Sequence, residues 1–437
     1  MSLAIADDRA AQLLVATDPL LDFPAAQARL ERASLLLTWD GEAAEPWMQA
    51  ALLAIARCGR RMFRGGLYMG ADTGAPGRLR LGPAGAFRPQ LVAEGARTTP
   101  PPPDALRLHV GAGGGDARIV CWADGWTGVV APRALGERGR AGNEISGVLA
   151  AAMGLAEAFR IAVLGDLRAG RRLKRLSAWG PSEPATPEIT CLPASAWLLG
   201  LGNLGQATLF VLGLLPYAHG GDLALVLQDF DVPGPENLPV QILTEPSWIG
   251  RRKARGCGDW AERRGFRTAL VETAFTPLTR PGPTDPRLVL AGVDNLDARR
   301  WAAEAGFDLV VDAGLGATSA DAFDLRLHAF PGSRSALQAW PEAAPDAPRA
   351  LNPALEKAVA EGRLDRCGAM TIAGKSVGVP CTALAAAALQ VGQACRALAT
   401  GRCCDLIDAS LADSGERLFK VMAPELRSLA FAPAYHP

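Results

Sequence analysis

Residues 197–241 read WLLGLGNLGQATLFVLGLLPYAHGGDLALVLQDFDVPGPENLPVQ, and this stretch decides the fold. Trp197-Leu198-Leu199 is a short apolar run of the kind that forms a buried strand. It passes into Gly200-Leu201-Gly202-Asn203-Leu204-Gly205, a G-x-G-x-x-G turn, then into an apolar helix over Ala207–Leu215 and a second strand over Leu223–Leu227 that runs on to Asp229. The pattern predicts a βαβ unit with glycines where strand becomes helix. Gly200 permits the tight turn, Gly202 removes a Cβ that would block a phosphate, and Gly205 lets helix and strand approach. The helix N-terminus offers unpaired N–H groups and partial positive charge to a polyphosphate. Asp229, at the tip of the second strand, is placed to hold ribose hydroxyls. A nucleotide site is expected here, and the glycine spacing alone leaves NAD, FAD and ATP open.

Outward from this unit, Thr268–Glu272, Leu288–Ala291 and Leu309–Asp312 read as further buried strands. Strands alternating with helices predict a mostly parallel sheet covered on both faces, with the ligand at the carboxyl ends of the strands, where Gly200, Asp229 and Asp294 all lie. Regular patterning fades over 331–365 apart from a helix at 352–361. A long apolar helix is expected over 381–399. On the other side, Ser177–Pro193 carries four prolines and reads as a linker. Residues 1–185 form a second α/β unit with strands at 34–39, 106–110 and 119–122, helices at 46–60 and 143–160, and a Gly/Pro-rich loop over 74–103. No phosphate-type glycine loop precedes a strong strand there, so this unit is expected to be catalytically incomplete.

Composition narrows the class. The 437 residues carry 49% hydrophobic content and zero formal net charge, which gives no electrostatic reason to expect nucleic acid. No apolar run is expected to reach the ~18 residues that would span a membrane, and Asp7 and Asp8 interrupt any signal-like start. The nine cysteines form no C-x-x-C pair, against a zinc site or disulfide framework and in favour of a reducing cytoplasm. The histidines show no motif.

Four ordered motifs resemble the ThiF/MoeB/E1 adenylating family: Asp229-Phe230-Asp231-Val232, Glu236-Asn237-Leu238, Gly250-Arg251-Arg252-Lys253, and Asp294-Asn295-Leu296-Asp297-Ala298-Arg299. The resemblance covers about 197–401. With weaker echoes at Ala123-Asp124-Gly125-Trp126 and the Asn143 helix, it is nearest to the E1-like proteins of bacterial ubiquitin-like conjugation (Bil-type antiphage) operons. It implies a Rossmann-like adenylation domain over 190–437, with a crossover loop at about 331–380, behind an inactive adenylation-like domain over 1–185. It further implies ATP and Mg²⁺ as cofactors and a ubiquitin-like protein with a C-terminal glycine as substrate. An E2-like partner is implied as well, and homodimerisation is left open. Asp294 would hold the metal, Lys253 would place a point charge on the phosphates, and Asn237 would bridge phosphate or metal-bound water.

The family's phosphate-binding arginine is here Val240, which can donate nothing. Arg251, Arg252 or Arg255 are candidate substitutes, and Arg60, Arg61 and Arg64 are candidates for a second arginine from the facing domain. Cys367 sits where thioester-forming members place their nucleophile, with Arg366 and Lys375 nearby. Cys381, at a helix start where the dipole would favour thiolate, is the alternative, and Cys257 is a distant third. Readings outside this one are a sulfur-carrier adenylator without a thioester, a binding-only pseudoenzyme and an NAD-dependent oxidoreductase.

Overall fold

The structure is a computed structural model that describes residues 8–435 apart from 19, 42, 44, 71–74, 80–84, 112, 115, 134–140, 182, 185, 317, 342–350, 352, 363–377, 414 and 423–428. Cys367, with Arg366 and Lys375, lies outside the described residues.

Strands β1 (Ser34–Trp39), β2 (Gly66–Met69), β3 (Leu106–Val110), β4 (Ile119–Asp124), β5 (Thr127–Ala131) and β6 (Lys174–Ser177) come from the first half of the chain. After a short β7 (Cys191–Pro193) follow β8 (Ser195–Leu199), β9 (Ala224–Gln228), β10 (Arg267–Val271), β11 (Leu288–Ala291) and β12 (Leu309–Leu315). The series closes with β13 (Asp324–Phe330), β14 (Cys403–Ser410), β15 (Gly415–Met422) and β16 (Phe431–Pro433). Apart from β7 and β16, which pair with each other, all belong to one fourteen-stranded sheet in the order β10-β9-β8-β11-β12-β13-β14-β15-β6-β5-β4-β3-β1-β2.

The two halves repeat one plan. In the first, β2-β1-β3-β4 run parallel and β5 and β6 turn antiparallel. In the second, β9-β8-β11-β12 run parallel and β13 and β14 turn antiparallel. The α/β, mostly parallel fold is as the sequence predicts. The described residues of 178–190, within the stretch read as a linker, carry no helix or strand, and the sheet itself joins the halves at the β15–β6 pairing of Gly415 with Arg175.

Helix Glu144–Phe159 packs against helix Pro46–Met62 of its own half and helix Pro380–Thr400 of the other, which also covers helix Asn203–Leu212. Asn143 caps the first of these through a reciprocal pair with Ser146. With the π-turn Arg160–Leu164 it makes a segment long and apolar enough to cross a membrane by length and composition, contrary to the sequence reading. Here it is a core helix, 83% buried, and its Glu157, Arg160 and the nearby Lys174 form a buried charge network. The Lys174 ammonium also donates to Leu411 O at 2.9 Å and Ala412 O at 2.8 Å, gripping the end of β14 from the opposite half.

Three further departures have simple causes. The strand at 267–271 is the exposed sheet edge rather than a buried strand, with Leu270 40% accessible. The 74–103 loop contains helix Phe87–Ala93, whose Phe87 and Leu91 are buried. Strands β6, β13, β14 and β15 and helices Arg9–Thr17 and Phe23–Arg32 are short or sit beside stronger elements and are not read from the sequence.

Candidate functional site

The glycine turn forms as its residues demand. Gly200 has φ +83°, and its N–H donates to Gln228 O at 2.9 Å, closing β8 onto β9. A Cβ on Gly205 would lie 1.8 Å from Gly200 O, so only glycine lets the helix start this close to the strand. At Gly202 a Cβ would meet nothing within 4 Å. Among the described residues the space beside Gly202 is open. Helix Asn203–Leu212 starts at Gly202 with no side chain capping it, which leaves its first-turn N–H groups to a ligand. Asn203, in the turn itself, has both amide atoms buried without a partner among the described residues. Buried amide atoms without partners are costly, and a phosphate or nucleotide above the turn fits them. Sequence reasoning missed Asn203, an x position of the glycine motif; its polarity at the first turn of an apolar helix was the available signal.

Asp229 is buried. Its carboxylate accepts from Leu201 N and Asp231 N, both at 2.7 Å, so it braces the glycine turn from beneath. Burial pushes its carboxyl pKa up, and Lys253 pulls it back. Lys253 is 7% accessible, so it is not a solvated surface charge, and its ammonium lies 2.8 Å from Asp231 Oδ2. Asn237 is buried in a single turn of 3₁₀ helix, with its side-chain oxygen taking Gly234 N–H at 3.0 Å.

Asp294 lies beyond the end of β11 and is exposed, and its carboxylate has no hydrogen bond or ion pair among the described residues. The N-cap of the following helix is Asn295, not Asp294: the Asn295 side chain accepts from Ala298 N at 3.0 Å. An exposed, uncommitted carboxylate at the strand ends suits Mg²⁺, which takes one or two carboxylates together with phosphate oxygens.

The arginines are placed differently from expectation. Arg251 pairs with Asp259, Arg252 with Phe230 O and Arg255 with Glu272, so these three are committed elsewhere. Val240 instead lines a cavity with Arg9, Leu13, Arg61, Gly378 and Val379, where the two halves meet. Arg64 is bound to Asp8, while Arg57, Arg60 and Arg61 converge on Glu245. Arg61 is buried and donates to Thr244 O at 2.9 Å, and burial lowers its pKa to about 9. Its Nε has no acceptor among the described residues. Thr244 N donates in turn to Gln206 Oε1 at 2.9 Å, and Gln206 Nε2 donates to Leu201 O at 3.0 Å. The first half therefore reaches the glycine turn through Arg61, Thr244 and Gln206.

The cysteine alternatives are corrected. Cys381 is fully buried at its helix start, and desolvation pushes its thiol up to about 12, outweighing the hydrogen bonds that favour thiolate. Cys257 and Cys395 are likewise buried, with their thiols raised by desolvation. These are packing residues.

The matching place in the first half is filled. Asp40 follows β1 as Gly200 follows β8. Its carboxylate accepts from Gly113 N at 2.7 Å and lies 2.9 Å from His109 Nε2, and His109 Nδ1 lies 3.0 Å from Thr38 Oγ1. A Cβ on Gly111 would come within 2.4 Å of Asp40 Oδ2 and one on Gly113 within 2.2 Å of Asp40 Oδ1, so the glycine loop is wrapped tightly round that carboxylate.

Among solved structures the chain is similar to E. coli MccB, at 11% identity and TM-score 0.34 over 53% of this chain and 62% of that one. It is also similar to E. coli TcdA in complex with ATP, at 18% identity and TM-score 0.23 over 29% and 53%. The family model described as the BilD N-terminal domain matches residues 35–178, and that of the BilD C-terminal domain matches 192–401. The bacterial E1-like protein BilD of Collimonas sp. (strain OK412) is 34% identical over 380 residues, 83% of this chain and 82% of that protein. With both halves matched, this chain belongs to the BilD family of bacterial E1-like proteins.

Proposed function

We propose that the chain activates the C-terminal carboxylate of a ubiquitin-like protein with ATP–Mg²⁺. The observation that carries this is the glycine turn: a Cβ on Gly202 would meet nothing among the described residues, and the helix that starts there has no side-chain cap. In the reaction a carboxylate oxygen of the substrate bonds to the α-phosphorus, and pyrophosphate leaves with the electron pair of the broken P–O bond. The turn and the helix N-terminus would bind the phosphates, Asp229 would hold the turn in place, and Lys253 would swing its charge from Asp231 toward them. Mg²⁺, held by Asp294, would neutralise phosphate charge.

In this reading residues 190–437 form the active domain, and residues 1–185 an inactive adenylation-like domain whose own turn is stopped by Asp40. A Cys367 thiolate would then attack the acyl carbon and release AMP, and an E2-like partner would take the acyl group from the thioester. The second reading, an adenylator without a thioester, is favoured by the burial of every cysteine among the described residues except Cys191. Under the first reading, that burial leaves the covalent step to Cys367.

The test is ATP–pyrophosphate exchange with a ubiquitin-like protein that ends in glycine, followed by a non-reducing gel. Exchange that requires the partner, with a DTT-sensitive adduct lost in Cys367→Ala, is the expected result. Exchange without an adduct selects the second reading, and partner binding without exchange would make the chain a pseudoenzyme.

A further inference from the structure

The turn that carries Asp294 is held from behind. Arg299, on helix Leu296–Glu304, donates from Nε to Val293 O at 2.7 Å and from Nη1 to Asp312 Oδ2 at 3.2 Å. Asp312 is 1% accessible on β12, where it pairs with Ala291, the last residue of β11 before Gly292-Val293-Asp294. The guanidinium lies 5.9 Å from the Trp340 ring, and a Cβ on Gly314 would fall 2.8 Å from Arg299 Nη1. The neighbouring Arg300 ties the same helix to Trp340 O at 2.8 Å and Pro341 O at 2.7 Å.

A buried ion pair is weak support for stability, because desolvation offsets much of the attraction. Here Asp312 Oδ1 has no partner among the described residues, which makes the burial costlier still. Well-packed apolar side chains could hold β12 and the helix together at least as well. What they could not do is hold a carbonyl of one turn and a carboxylate of the next strand in one rigid plane, as the guanidinium fork does.

The geometry points to Arg299 and Asp312 as positioning residues that fix the Val293–Asp294 turn, and so the direction of the Asp294 carboxylate, before nucleotide arrives. This rests on the reading of Asp294 as the carboxylate that faces metal and phosphate. Neither residue need touch the ligand. Asp312 fixes the guanidinium plane, the plane fixes Val293 O, and the next residue is Asp294.

The test is made on the full chain without ligand and then in exchange assays. Asp312→Asn keeps the shape and removes the charge; Arg299→Lys keeps the charge but loses the fork. Both are expected to speed amide hydrogen exchange at 293–296 in the free protein, with the melting temperature within a few degrees of wild type. Both should also raise the Mg²⁺ concentration for half-maximal ATP–pyrophosphate exchange about 10–100-fold, the range for losing a residue that orients a metal ligand, with the rate recovering at high Mg²⁺. A folded variant with wild-type amide exchange at 293–296 and wild-type Mg²⁺ dependence overturns the proposal. Should Asp312→Asn fail to fold, Arg299→Lys decides alone. Asp294→Asn separates the two claims. If it leaves exchange intact, the reading of Asp294 fails; if it abolishes exchange while the other two leave Mg²⁺ dependence unchanged, only the brace fails.

Discussion

Beyond the carboxyl ends of β8 and β11 nothing among the described residues would meet a Cβ on Gly202, whereas beyond those of β1 and β3 the chain sets its own carboxylate. The strand order around the two places is the same, so the sheet does not make the difference. The residue after the first strand does. Gly200 turns the chain away at φ +83°, while Asp40 carries a carboxylate that takes the Gly113 N–H for itself. One fold can therefore hold a ligand site or close it at the cost of one side chain.

The largest test of this contrast is Gly202→Val, which should abolish ATP binding in calorimetry while the melting temperature holds, because the new side chain points into open space. Wild-type affinity would place the site elsewhere. Next, Asp294→Asn should lower exchange by about 10²–10³, the scale of losing one transition-state contact, with folding intact. A rate within about twofold of wild type would remove Asp294 from the chemistry. Arg61→Met probes the link between halves. With Thr244 O released, ATP affinity should fall about tenfold, roughly the net value of one charged hydrogen bond, and unchanged affinity would reduce Arg61 to packing. Smallest is Asp40→Ala. It strands Gly113 N–H and His109, so unfolding free energy should drop by about 1–3 kcal/mol in denaturant titration. Exchange activity should stay at wild type; its loss would show that the first half takes part in the chemistry.

The open place was legible in the sequence and the closed one was not, for a physical reason. Glycine spacing between an apolar strand and an apolar helix is local, so Gly200, Gly202, Gly205 and Asp229 are read within one βαβ unit. Asp40 and His109 are 69 residues apart, and Arg61 and Thr244 are 183 apart. Nothing in the pattern around either partner announces the other. The same holds for Val240. Its apolarity was visible, but not that it faces Arg9 and Arg61 from the other half. Helix-start logic failed at Cys381 because the dipole argument ignores burial, and desolvation is the larger effect there. Strand β13 was missed although Asp324–Phe330 alternates polar and apolar residues, because the run is short and follows a turn-rich stretch with no helix to set it off, while Cys403–Ser410 directly follows a long helix with little to mark the change.

The single chain through both halves of the sheet also bears on how such a protein can change over generations. In a symmetric pair of identical subunits every substitution occurs twice, once at each site, so neither copy can lose a function the other must keep. Joined through β15 and β6, with Lys174 gripping the opposite half, the two copies are inherited as separate stretches of one gene. An aspartate can settle at position 40 while position 200 stays glycine. That independence lets one half become a scaffold whose surface answers to partners, while the other remains held to its glycines.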